Sequence, residues 1–306
     1  MENTQKIVRR LCYHHNKDLD GFFSGAVLKY KYPDIELRGW DYKDEVPSFE
    51  SMEGYDEVIL IDITFPLDTL LELGTRTKLT VIDHHISFKK QVDNHLQIGH
   101  DVVTNDLKYI TFEYIYDDKR SACELGFEHY FGYVPPIVEL VGKYDTWRAN
   151  GTPEWETSVL PLKYFLYGKV NKPEDVKDYW FISAEELYYE DILDEMIEIG
   201  KSIMEYEKKM DESKTTSYAF EKEVYNGLKA LCINTNFMSS DTLASKFDSS
   251  KHDLMIGFAY NGRNWGISLR SIGDKVDVSQ IAKTRGGGGH SQSAGFQVDT
   301  FEDIFK

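Results

Sequence analysis

Two short runs, Val58-Ile-Leu-Ile-Asp62-Ile and Leu79-Thr-Val-Ile82, constrain this chain more than any other feature. Each is nearly all apolar or β-branched and too short for an ordinary helix, which is the pattern of a strand covered on both faces. Between them, Pro66 to Arg76 reads as a helix, with Thr64 as candidate N-cap and Pro66 near its first position. Ahead of them, Leu11-Cys-Tyr-His14 reads as the end of a strand. Gly21 to Tyr32 reads as a helix stopped by Pro33, and Ile35-Glu-Leu-Arg38 as another strand. Strands alternating with helices at this spacing predict an α/β fold built on a parallel sheet with helices on both faces.

Farther on, Ser121–Phe131 and Pro135–Lys143 read as helices, the second leading into Tyr144-Asp145-Thr-Trp147. From Ser183 to about Lys214, Leu187, Ile192, Met196, Ile199, Ile203 and Tyr206 recur at helical spacing among glutamates and lysines, as in a long connector helix. Alternating segments follow at Leu228–Ile233, Leu254–Tyr260, Trp265–Arg270 and Phe296–Val298, which predict a smaller mixed α+β domain. The expected organisation is an α/β domain over 1–185, a connector over 186–214 and a second domain over 215–306.

Composition narrows the function. A chain of 306 residues suits about two domains. Its net charge of −17, with no block of Lys and Arg, disfavours long nucleic acid, whose binding relies on clustered cations. Small phosphate esters remain open, since metals and a few cations suffice to hold them. No apolar run approaches the ~18 residues of a membrane span. The segment Met1–Lys6 lacks the layout of a signal peptide. Three distant cysteines, Cys12, Cys123 and Cys232, argue against a disulfide framework or a thiolate metal site. The expectation is a cytoplasmic protein without membrane contact.

The chemistry concentrates in two clusters, His14-x-x-x-Asp18-x-Asp20-Gly21 and Asp83-His84-His85. In a parallel sheet, ligands gather at the carboxyl ends of the strands. His14, Asp62 and Asp83 fall at or just past such ends, and no patterning of the core requires that. An aspartate after a strand is commonly a cap or a solvated turn residue. His95, His100, His129 and His252 are ordinary surface or core histidines on the same reasoning. Here the coincidences are several and at matching positions. Asp18 and Asp20, two apart in a tight loop, suit two different ions, with Asp62 placed to bridge and Asp145 to close the second ion's shell. A pair of divalent ions ~3.5–4 Å apart would acidify a shared water and aim hydroxide at phosphorus.

These residues also carry a resemblance. His14-His-Asn-Lys-Asp18-Leu-Asp20-Gly21, Leu60-Ile-Asp62, Asp83-His84-His85 and Tyr144-Asp145-Thr-Trp147 resemble the four signature motifs of the DHH phosphoesterase superfamily. Ser268-Leu-Arg270-Ser and Gly286-Gly-Gly-Gly-His290-Ser-Gln-Ser-Ala-Gly-Phe296 resemble the glycine-rich motif of the DHH-associated C-terminal domain. The resemblance implies a phosphoesterase using two Mn²⁺, for which Mg²⁺ or Co²⁺ could substitute. It implies that His14, Asp18 and Asp62 hold one ion and that Asp20, Asp62, His84 and Asp145 hold the other. His85 would contact the scissile phosphate, with Asp83 orienting the neighbouring imidazoles. Arg270, Gly287, Gly288, Gly289 and His290 would bind substrate.

The resemblance leaves several phosphoesters open. The favoured reading is hydrolysis of phosphodiester bonds in very short oligonucleotides by a metal-bridged hydroxide, extending to some phosphomonoesters, as in oligoribonucleases. The alternative is a phosphodiesterase for cyclic or linear dinucleotides. A single-strand DNA exonuclease fits less well, because 306 residues and the −17 charge leave no room for extra nucleic-acid-binding domains. The reading from another class is a nucleotide-binding protein without turnover. The expected partner is a short oligonucleotide or dinucleotide, and a homodimer is compatible with all of these.

Overall fold

The computed structural model of the chain describes residues 8–99, 111–181, 189–235, 242–243, 246–273 and 275–306. His100, Met1–Lys6 and the start of the expected connector helix, with Leu187, lie outside the described residues. The chain divides into two compact units, Met1–Met204 and Glu205–Lys306.

The first unit runs β1 (Arg10–His15), α1 (Leu19–Lys31), β2 (Glu36–Trp40), β3 (Glu57–Ile61), α2 (Leu67–Arg76), β4 (Lys78–Asp83), α3 (Ile86–Gly99) and β5 (Glu113–Tyr116). It continues with α4 (Ala122–Phe131), α5 (Pro136–Asp145), α6 (Leu160–Tyr167) and α7 (Tyr189–Tyr218), and the division between the units falls inside α7. Its sheet has the order β2-β1-β3-β4-β5, with every pair parallel. All five residues of β3 are buried, as its unbroken apolar run requires. Alternate residues of the central strands serve two cores. Cys12, Ile59, Ile61 and Ile82 join a larger core with residues of α1, α4, α5 and α6, whereas Leu11, Tyr13, Val58, Leu60 and Val81 join one covered by α2 and α3.

Local chemistry explains most element ends. Ser121 and Glu124 form a reciprocal capping box at the start of α4, and Gly132 ends that helix with left-handed backbone, φ +79°. Thr64 does not cap α2. Pro66 occupies the N-cap and makes no side-chain capping bond, because its ring carries no hydrogen-bonding atom.

The second unit carries a six-stranded mixed sheet of β6 (Phe220–Val224), β7 (Leu228–Asn234), β8 (Leu254–Tyr260), β9 (Trp265–Arg270), β10 (Gly288–His290) and β11 (Ser293–Val298). One helix, α8 (Val278–Lys283), lies between β9 and β10 in sequence. The sheet order is β10-β11-β9-β8-β7-β6, and only β7 with β8 is parallel. Residues from five of its strands and from α8 fill one core.

Gly200 of α7 sets how closely that helix packs in the first unit. A Cβ there would overlap the backbone carbonyl of Pro161 in α6. Alanine normally favours a helix interior over glycine by about 1 kcal/mol. Gly200→Ala should nevertheless destabilise the protein by about 1–3 kcal/mol, since overpacking against backbone has no soft neighbour to yield. Urea unfolding followed by circular dichroism checks the sign.

Candidate functional site

The sheet order reverses direction between β1 and β3, and the carboxyl ends of β1, β3 and β4 open on the same side of the parallel sheet. His15 ends β1, Asp62 follows β3 directly, and Asp83 ends β4. Asp18 is the N-cap of α1, its Oδ1 accepting the Gly21 N–H at 3.0 Å. Asp20 lies buried in the first turn of the same helix. Asp145 is the last residue of α5.

Asp62, and Trp147 just past Asp145, carry backbone that side-chain-bearing residues rarely adopt. Asp62 has φ +61° and Trp147 has φ +56°. Aspartate tolerates this left-handed region better than most residues. At Asp62 the turn comes one residue past the strand, while its N–H still donates to the Ile82 carbonyl at 3.0 Å. Such outliers tend to sit where surrounding structure holds a functional geometry in place.

His84 stands among three carboxylates. Its Nε2 lies 3.4 Å from Asp62 Oδ1, 3.4 Å from Asp145 Oδ2 and 3.7 Å from Asp20 Oδ2. His15 Nδ1 lies 2.8 Å from Asp18 Oδ2 and 3.5 Å from Asp62 Oδ2. Three interlocking groups result: His15, Asp18 and Asp62; Asp62, His84 and His85; Asp20, His84 and Asp145. Within each group, one ligand atom per residue lies within 4.8 Å of the others, close enough to share a cation. Asp62 and His84 each belong to two groups.

The electrostatics are those of crowded anions. Burial, then the Asp20 charge, pushes the Asp62 carboxyl well above the usual carboxylate range. Burial followed by Asp20 and Asp62 pushes Asp145 up to about 8. At His15, burial opposes protonation but is outweighed by hydrogen bonds to Asp18 and Asp62, which raise its pKa to about 10. Asp20 has a separate source of compensation. Its two carboxylate oxygens accept the backbone N–H groups of Ala122 and Cys123, at 2.9 and 2.8 Å, in the first turn of α4. A helix N-terminus carries partial positive charge and free N–H donors, so it stabilises a buried carboxylate.

The structure brings together Asp18, Asp20, Asp62, His84, His85 and Asp145, but not His14. His14 projects from β1 toward α1, where its ring lies against Gly25, and its Nδ1 bonds the His15 carbonyl oxygen at 2.8 Å. Burial keeps its pKa low. His15 points to the opposite side because successive strand residues alternate. The sequence signal for it was the second imidazole of the His14-His15 pair. Asp83 is fully buried and, among the described residues, holds one imidazole, bonding His85 Nδ1 through Oδ1 at 2.7 Å. That bond and the Asp83 charge raise the His85 pKa against the opposing effect of burial.

In the second unit, Arg270 ends β9 and His290 ends β10, and both register with Ser293 of β11. Arg270, Ser293 and His290 therefore occupy one row across three strands. A Cβ at Gly287 would overlap the Gly295 carbonyl oxygen, and one at Gly289, whose φ is +137°, would overlap that of Ser293. Gly288 has open space where its Cβ would be. Gly287 and Gly289 thus satisfy close strand packing, whereas Gly288 does not.

Comparison with known proteins agrees with this layout. The DHHA1 domain family matches residues 227–306. Oligoribonuclease NrnB of Bacillus subtilis (strain 168) is 24% identical over 311 residues, covering 96% of this chain and 74% of its own length. An uncharacterized protein of Acanthamoeba polyphaga mimivirus is 25% identical, covering 92% of this chain and 66% of its own. The solved DHH domain of a member of a family of ribosomal proteins superposes with a TM-score of 0.52 at 15% identity, over 97% of this chain and 84% of its own, a likeness of fold. The parallel sheet with carboxylates and imidazoles at its strand ends has the fold of that solved DHH domain. Most of the mixed sheet that follows lies within the residues that match the DHHA1 domain family.

The crowding predicts an unusual pH response in metal-free protein. Asp145 rises from an ordinary 3.8 to about 8 on folding, so its contribution to stability is present below the lower value and is lost as pH climbs through the upper one. Asp145→Asn removes that loss. The metal-free variant should gain on the wild type as pH rises across this interval, by several degrees in melting temperature at the alkaline end. Paired melts in EDTA at each pH measure the difference, and a constant difference contradicts the account.

Proposed function

We propose that this chain is a metal-dependent phosphoesterase that hydrolyses phosphodiester bonds in short oligonucleotides. The observation that carries the proposal is the interlocking of three carboxylate–imidazole groups through Asp62 and His84. The donors are all oxygen and imidazole nitrogen, which suits hard or borderline divalent ions and excludes thiolate-seeking ones. Two of the carboxyls, Asp62 and Asp145, resist ionisation for want of positive charge. The residues therefore fit a pair of divalent cations, and Mn²⁺ is the proposed pair.

On this reading, His15, Asp18 and Asp62 hold one ion, and Asp20, Asp62, His84 and Asp145 hold the other. His15 replaces His14 in the ligand set. Held divalent ions supply Lewis-acid stabilisation of charge building on a phosphoryl group. The protein's own groups do the rest. Asp83 fixes the His85 ring through Nδ1, leaving Nε2 as the atom that meets a phosphate oxygen. The His85 side chain is 43% exposed, so a substrate can reach it. Asp83 itself keeps one buried oxygen without a hydrogen bond, which adds negative charge behind the ring and favours the protonated, phosphate-binding form. In the second unit, Arg270, the open backbone of Gly288, and His290 are assigned to holding the substrate, with Gly287 and Gly289 supporting that strand.

The restriction to short substrates is supported by the charge of −17, and the oligonucleotide class by the likeness to an oligoribonuclease along nearly the whole chain. A turnover panel with Mn²⁺ tests it, using RNA and DNA of graded length from the dinucleotide upward, cyclic dinucleotides and adenosine 3′,5′-bisphosphate. The expected result is highest kcat/KM on the shortest linear RNAs, falling with length, and none with Asp62→Ala. Preference for a cyclic dinucleotide moves the substrate to the messenger class, and preference for long single-stranded DNA overturns the short-substrate reading. Failure of every ester to turn over above the Asp62→Ala background removes the enzyme reading in favour of nucleotide binding.

The assignment of His15 is tested separately. His15→Ala should weaken Mn²⁺ binding by about tenfold or more in calorimetry, comparable to losing one ligand's hydrogen-bonded charge contact. His14→Ala should lower the melting temperature, because it empties a packed site against α1, yet bind Mn²⁺ as the wild type does. The reverse pattern would return the ligand role to His14.

A further inference from the structure

The structure points to a function for an ion pair whose two members belong to none of the three groups. Glu124 is 2% exposed, and Arg148 grips it with both guanidinium ends, at 2.7 Å through Nη1 and 2.6 Å through Nη2. The same carboxylate accepts the Ser121 N–H at 3.0 Å, completing the capping box of α4. Glu124 also fills a notch in α5, since a Cβ at Gly142 would overlap its carboxylate. Arg148 is tied to α5 as well, at the residue that caps its end and at a carbonyl of its first turn. Its Nη1 donates to Thr146 Oγ1 at 3.2 Å and its Nη2 to the Glu139 carbonyl at 3.3 Å. The left-handed backbone of Trp147 stands between Asp145 and this arginine.

The two helices joined here are the two that place Asp20 and Asp145. The first turn of α4 donates two N–H groups to Asp20, and the last residue of α5 is Asp145. We propose that Glu124 and Arg148 are positioning residues, a joint between α4 and α5 that sets the spacing of Asp20 and Asp145 and so the affinity of their shared site for a divalent cation. The proposal rests on the metal-site reading above. With Glu124 buried and the Arg148 side chain 28% exposed, the pair is a poor source of stability, because desolvating the carboxylate and solvent screening of the arginine offset most of their attraction. Fixing a geometry is what a two-pronged, fully satisfied pair does well. Partners of this kind behind metal ligands change affinity by about 10–100-fold when removed.

A second ion pair in the same unit supplies the control. Arg10 Nε lies 2.8 Å from Glu57 Oε2, where β1 and β3 begin, at the end of the sheet away from the carboxylates. Glu57 is 4% exposed, so this pair is also largely buried.

The test measures Mn²⁺ binding by calorimetry and by the electron paramagnetic resonance of free Mn²⁺ in the wild type, Arg148→Met, Arg148→Lys, Glu124→Gln and Arg10→Met. Melting temperature is read alongside. Arg148→Met should bind Mn²⁺ about tenfold or more weakly, Glu124→Gln should shift the same way, and Arg148→Lys should recover part of the loss. Turnover lost by these variants should return when Mn²⁺ is raised to saturation. Arg10→Met should melt earlier and bind Mn²⁺ as the wild type does. Should Arg148→Met not fold, Glu124→Gln against Arg10→Met decides alone. Binding within about twofold of the wild type in the Glu124 and Arg148 variants overturns the joint, as does an equal weakening in Arg10→Met or a turnover loss that saturating Mn²⁺ leaves in place. A wild type that binds no Mn²⁺ overturns instead the metal-site reading on which the joint depends.

Discussion

Mutual repulsion among Asp18, Asp20, Asp62 and Asp145 is the constraint around which the first unit is organised. Two unit charges 4 Å apart repel by about 4 kcal/mol at the effective dielectric of a protein surface. No small domain holds four such groups together without compensation. The fold supplies compensation in pieces. The N-terminus of α4 takes Asp20, the Gly21 N–H takes one oxygen of Asp18, His15 lies against Asp18 and Asp62, and His84 sits among the rest. Asp62 and Asp145 still carry strongly raised pKa values, so compensation by the protein alone is incomplete. The shortfall is positive charge, and it lies where three ligand groups meet.

This explains why the aspartates were legible in the sequence and the imidazole beside them was not. A buried parallel strand shows itself as an unbroken apolar run, so the aspartate that ends the run is located to within a residue. Asp62 and Asp83 follow directly from that. The choice between His14 and His15 depends on which side of the sheet each faces. A strand covered on both sides has no polar alternation to reveal it. The motif spacing favoured His14, whereas the pleat sends that ring toward α1 and sends His15 to the carboxylates. Elements with mixed patterning, α3 and β5 among them, were also missed. Residues of α3 form only part of a core face, and the four residues of β5 are too few to show a period.

The Glu124–Arg148 joint shows a second limit. In the sequence, the helix reading over Ser121–Phe131 gives Glu124 no role of its own, and a capping box is common. Its further meaning comes from contacts across the fold: a notch at Gly142, an arginine just past α5, and a distant aspartate received by the same helix end. The glycine run before His290 was ambiguous in a different way. Close packing of β10 on β11 and exposure of backbone to a ligand both call for glycine. The structure assigns the first need to Gly287 and Gly289, whereas Gly286 and Gly288 have open space where a Cβ would be.

The charge balance bears on substrate length without any gate or wall. In a chain of net charge −17, every phosphate beyond those met by the cations of the proposed site enters a negative field. At physiological salt that field acts over about 8 Å, so an added nucleotide just outside the site feels it and one farther along feels little. Each of the first few additions therefore costs binding energy. Counterion release offers little to offset that cost, because the sequence carries no block of Lys and Arg to displace ions from a longer strand. On the proposed reading, selection for the shortest substrates follows from the same acidity that makes the metal site necessary. A basic relative with the same site would lose that selectivity even with every ligand in place.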